Sequence, residues 1–471
     1  MESLETLCSR SLPNSFQILL EVSMIGKFLA AMAMLGGVAM AQSADPTFNK
    51  DVLPILQKNC QTCHRPGQIA PMSFLTYEST RPYAKAMKAA TAARKMPPWF
   101  ASSNYVHIKN DPTLKQSDID TIAKWVDAGA PEGDLKDAPP AIHWPENGWH
   151  IKPDMIIDGP EFNVPAKGIV EWTNVTVPGF AKDTWITSIE LLPGNRSVAH
   201  HICVSFKPHT ADTVYNKPTW ADKVRDEGGN ELPTARRQST QAAGNGGGGG
   251  ANQTIQFCYV PGTEFEDYRP FGAGKFVPAG TDIVFGLHYT PNGKEVLDRP
   301  HLGFTVTNTP PENQYVNFIV NAPQDPRVFA IPPNDPNWRA PLSESVFQED
   351  VDVVWVMAHM HVRGKDMTWE LTYPDGRKQI LAAVENFDFN WQQGYQLTPI
   401  RVPKGTQLTV TAHYNNSAGN RTNPDPNRTV YWGDQSWEEM MSPFFAVIVP
   451  KNVDPKKIIK MKSAGVLAGG A

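Results

Sequence analysis

The chain has almost no charge imbalance, few cysteines and no apolar run long enough to cross a bilayer. Its 43 Lys+Arg stand against 48 Asp+Glu, a formal net charge of −5. Nucleic-acid binding needs a basic field, so no DNA or RNA partner is expected. A mean hydropathy of −0.37 with 41% hydrophobic residues excludes a polytopic membrane protein and a disordered chain. The residue in excess is proline, 42 of 471 and nearly double the usual ~5%. Such a chain spends its length in turns and edges, which favours β-sandwiches over helical bundles. At roughly 100–200 residues per domain it is long enough for two to four.

Met24-Ile25-Gly26-Lys27 opens a basic start, Phe28 to Met40 is almost wholly apolar, and Ala39-Met40-Ala41 has the small-x-small cleavage pattern. Residues 24–41 therefore read as a secretory signal, too short to span a membrane, and residues 1–23 as a start-site extension. The mature chain is expected to be periplasmic or secreted, where thiols oxidise. Without Cys8, four cysteines remain: Cys60, Cys63, Cys203 and Cys258.

Cys60-Gln61-Thr62-Cys63-His64 is a C-x-x-C-H motif. Its two thiols can add to haem vinyl groups while His64 reaches the iron, and no second C-x-x-C is present for zinc. Val52, Ile55 and Leu56 form the apolar stripe of a helix leading into the motif. Ser117 with Asp120 predicts a capping box for a helix carrying Ile119, Ile122, Ala123 and Val126, stopped by Gly129 and Pro131. Residues 45–135 thus resemble a class I cytochrome c with one covalent haem c. The sixth iron ligand is sought among Met72, Met87, Met96 and His107. Met96 is preferred because Pro97 and Pro98 stiffen its loop. Residues 136–150 read as a linker; His143 and His150 are left unassigned.

Beyond residue 150 the periodicity becomes that of strands. Met367, Trp369, Leu371 and Tyr373 alternate with polar residues, and Pro374-Asp375-Gly376 and Pro291-Asn292-Gly293 mark turns. Val277-Pro278-x-Gly280-Thr281-x-Ile283 with His288-Tyr289 recurs as Val402-Pro403-x-Gly405-Thr406-x-Leu408 with His413-Tyr414, at a constant offset of 125 residues. Two tandem all-β, jelly-roll-like sandwiches are expected, over 151–310 and 311–450, with a tail at 451–471. A Gly-rich stretch, Gly244 to Gly250, reads as a surface loop of the first. Cys203 and Cys258 are expected to form a disulfide there.

Three histidine groups fall on these runs: His200-His201, His288 and His359-Met360-His361. Alternate residues share a strand face, so His359 and His361 can act together. His200 and His201 can share a metal only at a strand end or a bulge. Taken with Glu439-Met440, the order His-His, His-Tyr, His-x-His resembles the copper type II, ascorbate-dependent monooxygenases, the family of peptidylglycine α-hydroxylating and dopamine β-monooxygenases. The resemblance implies two coppers. His200, His201 and His288 would hold the one that relays electrons; His359, His361 and Met440 would hold the one where oxygen is activated.

His413, at the repeat position of His288, is a rival to Met440 as third ligand. His413 and Met441 stand where the animal enzymes pair two cysteines. Met357 replaces the arginine that grips a peptide carboxylate, and Ser442 and Phe444 replace an asparagine and a tyrosine. The expected activity is hydroxylation of a small-molecule C–H with O2. Electrons would pass from an external donor to the fused haem, then to the three-histidine copper and on to the second. The alternative is a non-catalytic haem- and copper-binding electron-transfer protein. A further alternative is a haem domain fused to a carbohydrate-binding sandwich, with structural histidines.

Overall fold

The computed structural model describes residues 45–145, 148–220, 255–263, 265–433 and 435–462. The expected signal, the 1–23 extension, Cys8 and the Gly-rich stretch lie outside these. Most of the described chain is β-sheet with few helices. Among the described residues no helix is long and apolar enough to cross a membrane.

Short helices precede the sheets, chiefly Leu53–Asn59, Ala84–Ala92 and Gln116–Asp127. They share one small core built on Phe48, Leu56, Met87, Ile122 and Trp125. The capping box expected at Ser117 and Asp120 does not form. The helix starts at Gln116, after Lys115, without a side-chain cap, and Gln116 Nε2 donates to Asp120 Oδ1 at 2.9 Å instead. A capping box occurs at Thr76 and Ser79, where two hydroxyls do the work without an acidic partner. Trp125, outside the expected stripe, is fully buried and donates through Nε1 to the Pro131 carbonyl at 2.9 Å.

A nine-stranded sheet dominates the rest. It runs from Met155–Asp158 through Ala273–Val277, Asn313–Ile319, Ser442–Pro450 and Val351–His359 to Gly394–Val402. A five-stranded sheet centred on Thr281–Tyr289 covers its first part, and a six-stranded sheet centred on Gln407–Tyr414 covers the second. Two large cores result. The two halves do not have separate sheets: Asn313–Ile319 pairs in parallel with Ala273–Val277 and joins them.

The strand Ser442–Pro450 is apolar almost throughout because both its faces are buried. Phe444, Ala446 and Ile448 enter the first core; Phe445, Val447 and Val449 enter the second. A run without polar alternation is what such a strand requires. The stretch Ala101 to Lys109 leaves the helices and straps the second sandwich. Ser102 N–H donates to Ala383 O on the edge of one sheet, and Lys109 N–H to Gln396 O on the edge of the other. Ala101 and Ile108 enter the second core. Covering both exposed edges removes templates for aggregation.

The sequence repeat is a repeated turn. Gly280 and Gly405 have φ of 72° and 87°, a left-handed conformation that favours glycine. Thr281 and Thr406 each donate through Oγ1 to the carbonyl of Pro278 and Pro403 at 2.7 Å. Cys203 and Cys258 are opposed on neighbouring strands and form a disulfide. It closes a segment of sequence separation 55. Loop-closure entropy sets its stabilisation at roughly 4 kcal/mol. The Cys203→Ser, Cys258→Ser variant should therefore lose about 2–4 kcal/mol in a urea titration. An unchanged midpoint would show that the strands need no cross-link.

Candidate metal centres

His201 and His288 are register partners on the strands Ala199–Pro208 and Thr281–Tyr289. The next pair is Tyr289 with Ala199, so His200 is the extra residue of a β-bulge. A bulge re-aims a side chain that would otherwise point to the opposite face. Its effect is to bring the ligand atoms of His200, His201 and His288 within 4.8 Å of one another. Ring centroids are 4.7–5.0 Å apart.

Nδ1 of His200 and Nδ1 of His201 lie 2.8 Å apart. His200 Nε2 and His288 Nδ1 are buried without a hydrogen-bond partner. A buried orphan nitrogen costs about 1–3 kcal/mol. Two of them facing a third imidazole fit a metal that prefers nitrogen donors, and copper binds imidazole in both oxidation states. Burial, reinforced by neighbouring imidazoles, pushes His200 down to about 4 and His288 to about 3. It holds His201 well below the ordinary imidazole range. All three are thus neutral at pH 7, the form in which imidazole is a ligand.

His359 ends the doubly buried strand Val351–His359, opposite Ser442. The ladder ends at that pair, and Met440 lies in the segment that leads into the strand Ser442–Pro450. His359 Nδ1 bonds Gln392 Oε1. Their ring centroids put His359 and His361 5.3 Å apart and nearly perpendicular. Beneath them, the carboxylate of Glu439 clamps the backbone. Oε2 accepts from His361 N–H at 2.8 Å and Oε1 from Arg363 N–H at 2.6 Å. Burial pushes Glu439 up to about 8, against the pull of those N–H groups and of the Arg363 charge. Arg363 donates through Nε to Asn416 Oδ1 at 2.8 Å. Tyr414 OH donates to Met440 O at 2.6 Å, while Met441 is fully buried in the second core.

Phe389 touches both histidine sets. Its ring is 5.0 Å from His200, 6.4 Å from His288 and 6.1 Å from His361. The sequence reading missed Phe389, Gln392 and the Arg363 network. Phe389 and Gln392 lie in an irregular loop whose residues follow no period, and Arg363 carries no ligand chemistry of its own.

Four of the other histidines differ from these sets in having a carboxylate partner. His150, His209, His301 and His413 each have Nδ1 2.6–3.0 Å from Glu190, Asp282, Asp158 and Asp366 respectively. His413 forms no close three-residue cluster with His359 and His361 among the described residues. In the helical segment, Cys60 and Cys63 are unlinked thiols, and burial pushes Cys60 up to about 12. The His64 ring stacks on Phe74 at 4.3 Å, and its Nδ1 is a buried orphan. Two thiols outside any disulfide, one of them next to His64 in sequence, fit covalent haem attachment. The sixth-ligand candidates diverge. Met87 is buried in the helical core, His107 Nδ1 is 2.9 Å from Thr398 Oγ1, and Met96 is 37% exposed.

No family model matches the chain, and no curated protein matches it. Viral proteins are among the solved structures it is similar to. The VP2 subviral particle of infectious bursal disease virus is 10% identical, covering 67% of this chain and 78% of that one, at a TM-score of 0.18. The Gx strain of the same virus gives 8%, 70%, 81% and 0.17. The nodavirus of Macrobrachium rosenbergii gives 10%, 67%, 96% and 0.14. Likenesses at such TM-scores carry no argument about fold or function.

Two tests follow from this geometry. In the metal-free protein His200 and His288 have folded pKa values below the ordinary 6.5, so the unfolded chain binds more protons as pH falls. Stability should decline from about pH 6.5 downwards, the His200 share ending near 4 and the His288 share near 3. Thermal melts should show a shallower decline for His288→Gln; identical slopes would contradict neutral burial. Glu439→Gln keeps the shape but loses one of two acceptors. It should cost about 1–3 kcal/mol in a denaturant titration, and no loss would show that the clamp is idle.

Proposed function

We propose that the chain is a periplasmic or secreted copper-dependent monooxygenase that hydroxylates a small molecule with O2, fed by a fused c-type haem. The observation that carries this reading is the bulge that gathers the ligand atoms of His200, His201 and His288, with Phe389 in ring contact with His200 and His288 of that set and with His361 of the other. Residues 45–135 are read as the cytochrome c domain, Cys60, Cys63 and His64 holding the haem and Met96 as its second axial ligand. The sheets are read as two jelly-roll-like sandwiches. His200, His201 and His288 would bind one copper, and His359, His361 and Met440 the other. When bound, the metals supply one-electron transfer and oxygen activation.

The chain's own residues have definable tasks. Gln392 and the Glu439 clamp orient His359 and His361, the outer-shell support that ligating histidines need. The soft sulfur of Met440 would favour the reduced metal. His413, engaged by Asp366, is the weaker candidate for that position. The Met96 loop is tied to the second set: Pro98 O accepts from Gln393 Nε2 at 3.0 Å, and the adjacent Gln392 holds His359. A tethered donor acts at high effective concentration. This link runs to His359 and not to the three-histidine set, which the family resemblance makes the entry point.

One observation favours the non-catalytic reading. Met357 stands where the peptide-gripping arginine is expected and is buried in the first core, so it cannot hold a substrate carboxylate.

Metal and haem analysis of protein matured in a periplasm should find one haem and two coppers per chain. His200→Ala and His359→Ala should each lose about one copper and all substrate-dependent oxygen uptake. Full copper content without oxygen uptake under any reductant would support the non-catalytic reading. Absence of copper would end both and leave the histidines structural.

A further inference from the structure

A cavity of about 310 Å³ opens beside the histidine sets. His200, His288, Val362, Phe389 and Trp437 line it, together with the exposed Ile169. No Asp, Glu, Lys or Arg lines it among the described residues. Besides the two imidazoles, several polar side chains of the lining are engaged. Thr422 Oγ1 donates to Val362 O at 2.9 Å, and Asn390 Nδ2 to Asp388 Oδ1 at 3.0 Å. Arg363, the buried cation next to the lining residue Val362 in sequence, is spent on Asn416 and on the Trp437 carbonyl. Asp388, whose charge reaches His200, lies outside the lining and accepts from Asn390, so an ion entering this space would lose water and find no charged side chain in the wall. The volume is at the small end of the ~300–1,000 Å³ of ligand pockets.

We propose that this cavity binds a small, uncharged and mainly apolar molecule, of about one aromatic ring or a short alkyl chain. Resting on the oxygenase reading, that molecule is the substrate class. The inference names neither a peptide carboxylate nor an amine. Phe389 and Trp437 contribute aromatic rings to the lining, and the same cavity is lined by the His200 and His288 imidazoles that the C–H bonds of an apolar ligand would meet.

Calorimetry in a sealed cell with the full chain, titrated with toluene, benzoate and benzylamine, tests this with three probes alike in shape and different in charge. Toluene should bind once per chain, and each ion at least ten-fold more weakly. Ile169 is 77% exposed on a loop, so Ile169→Glu should fold normally. It should weaken toluene several-fold and narrow the gap to benzylamine. Benzoate or benzylamine binding as tightly as toluene would overturn the inference. So would no binding of any probe, or toluene binding indifferent to Ile169→Glu. Copper measured on the same sample separates the two claims. Selective toluene binding without copper keeps the cavity's ligand class and ends the oxygenase reading. Two coppers with a preference for benzoate end the cavity inference alone.

Discussion

The strands Val351–His359 and Ser442–Pro450 are packed on both faces, and that double burial fixes the rest of the molecule. A one-residue slip of either would exchange the side chains committed to the first core with those committed to the second. Neither strand can move without disrupting two cores at once. His359 closes one of these strands, and Met440 lies just before the other. The backbone between His361 and Arg363 is then held by a single buried carboxylate, Glu439. The second histidine set therefore sits on the most constrained part of the fold, as a site needing fixed geometry should.

The first set is built differently. A bulge is needed to bring neighbouring residues to one side, and bulges are held only where the surrounding ladder is firm. Here the disulfide at Cys203 locks the strand two residues beyond His201 to its outer neighbour. On the other side, the turn at Gly280 sets the start of the His288 strand. Trp172 packs against His201 and His288, with ring centroids 5.0 and 6.1 Å away. Imidazoles buried this way, without the carboxylates that accompany His150, His209, His301 and His413, are costly in a protein that does not use them.

Much of this was legible in the sequence because it rests on period and spacing. The alternation of Met367, Trp369 and Leu371 is the burial pattern of their strand, and the repeated Val-Pro-x-Gly-Thr is one turn used twice. The Cys203 and Cys258 pairing followed from compartment and number. The need for a bulge at His200-His201 could be stated, but its existence depends on how many residues oppose one another across two strands. The continuity of the nine-stranded sheet depends on a parallel contact between strands forty residues apart in sequence, Ala273–Val277 and Asn313–Ile319. Phe389 comes from a loop with no pattern. The strap from Ala101 to Lys109 lies in a stretch that reads as the loop of a helical module until its edge hydrogen bonds are seen.

The central claim is that His200, His201 and His288 form one metal centre and that His359 and His361 form a second, with Phe389 in ring contact with both sets. Diffraction from copper-loaded crystals at wavelengths on either side of the copper edge tests it most directly. The account predicts two anomalous peaks per chain, one among the three imidazoles at the bulge and one beside His359, His361 and the Met440 sulfur. A single peak, or peaks at His150, His209, His301 or His413 instead, would contradict it.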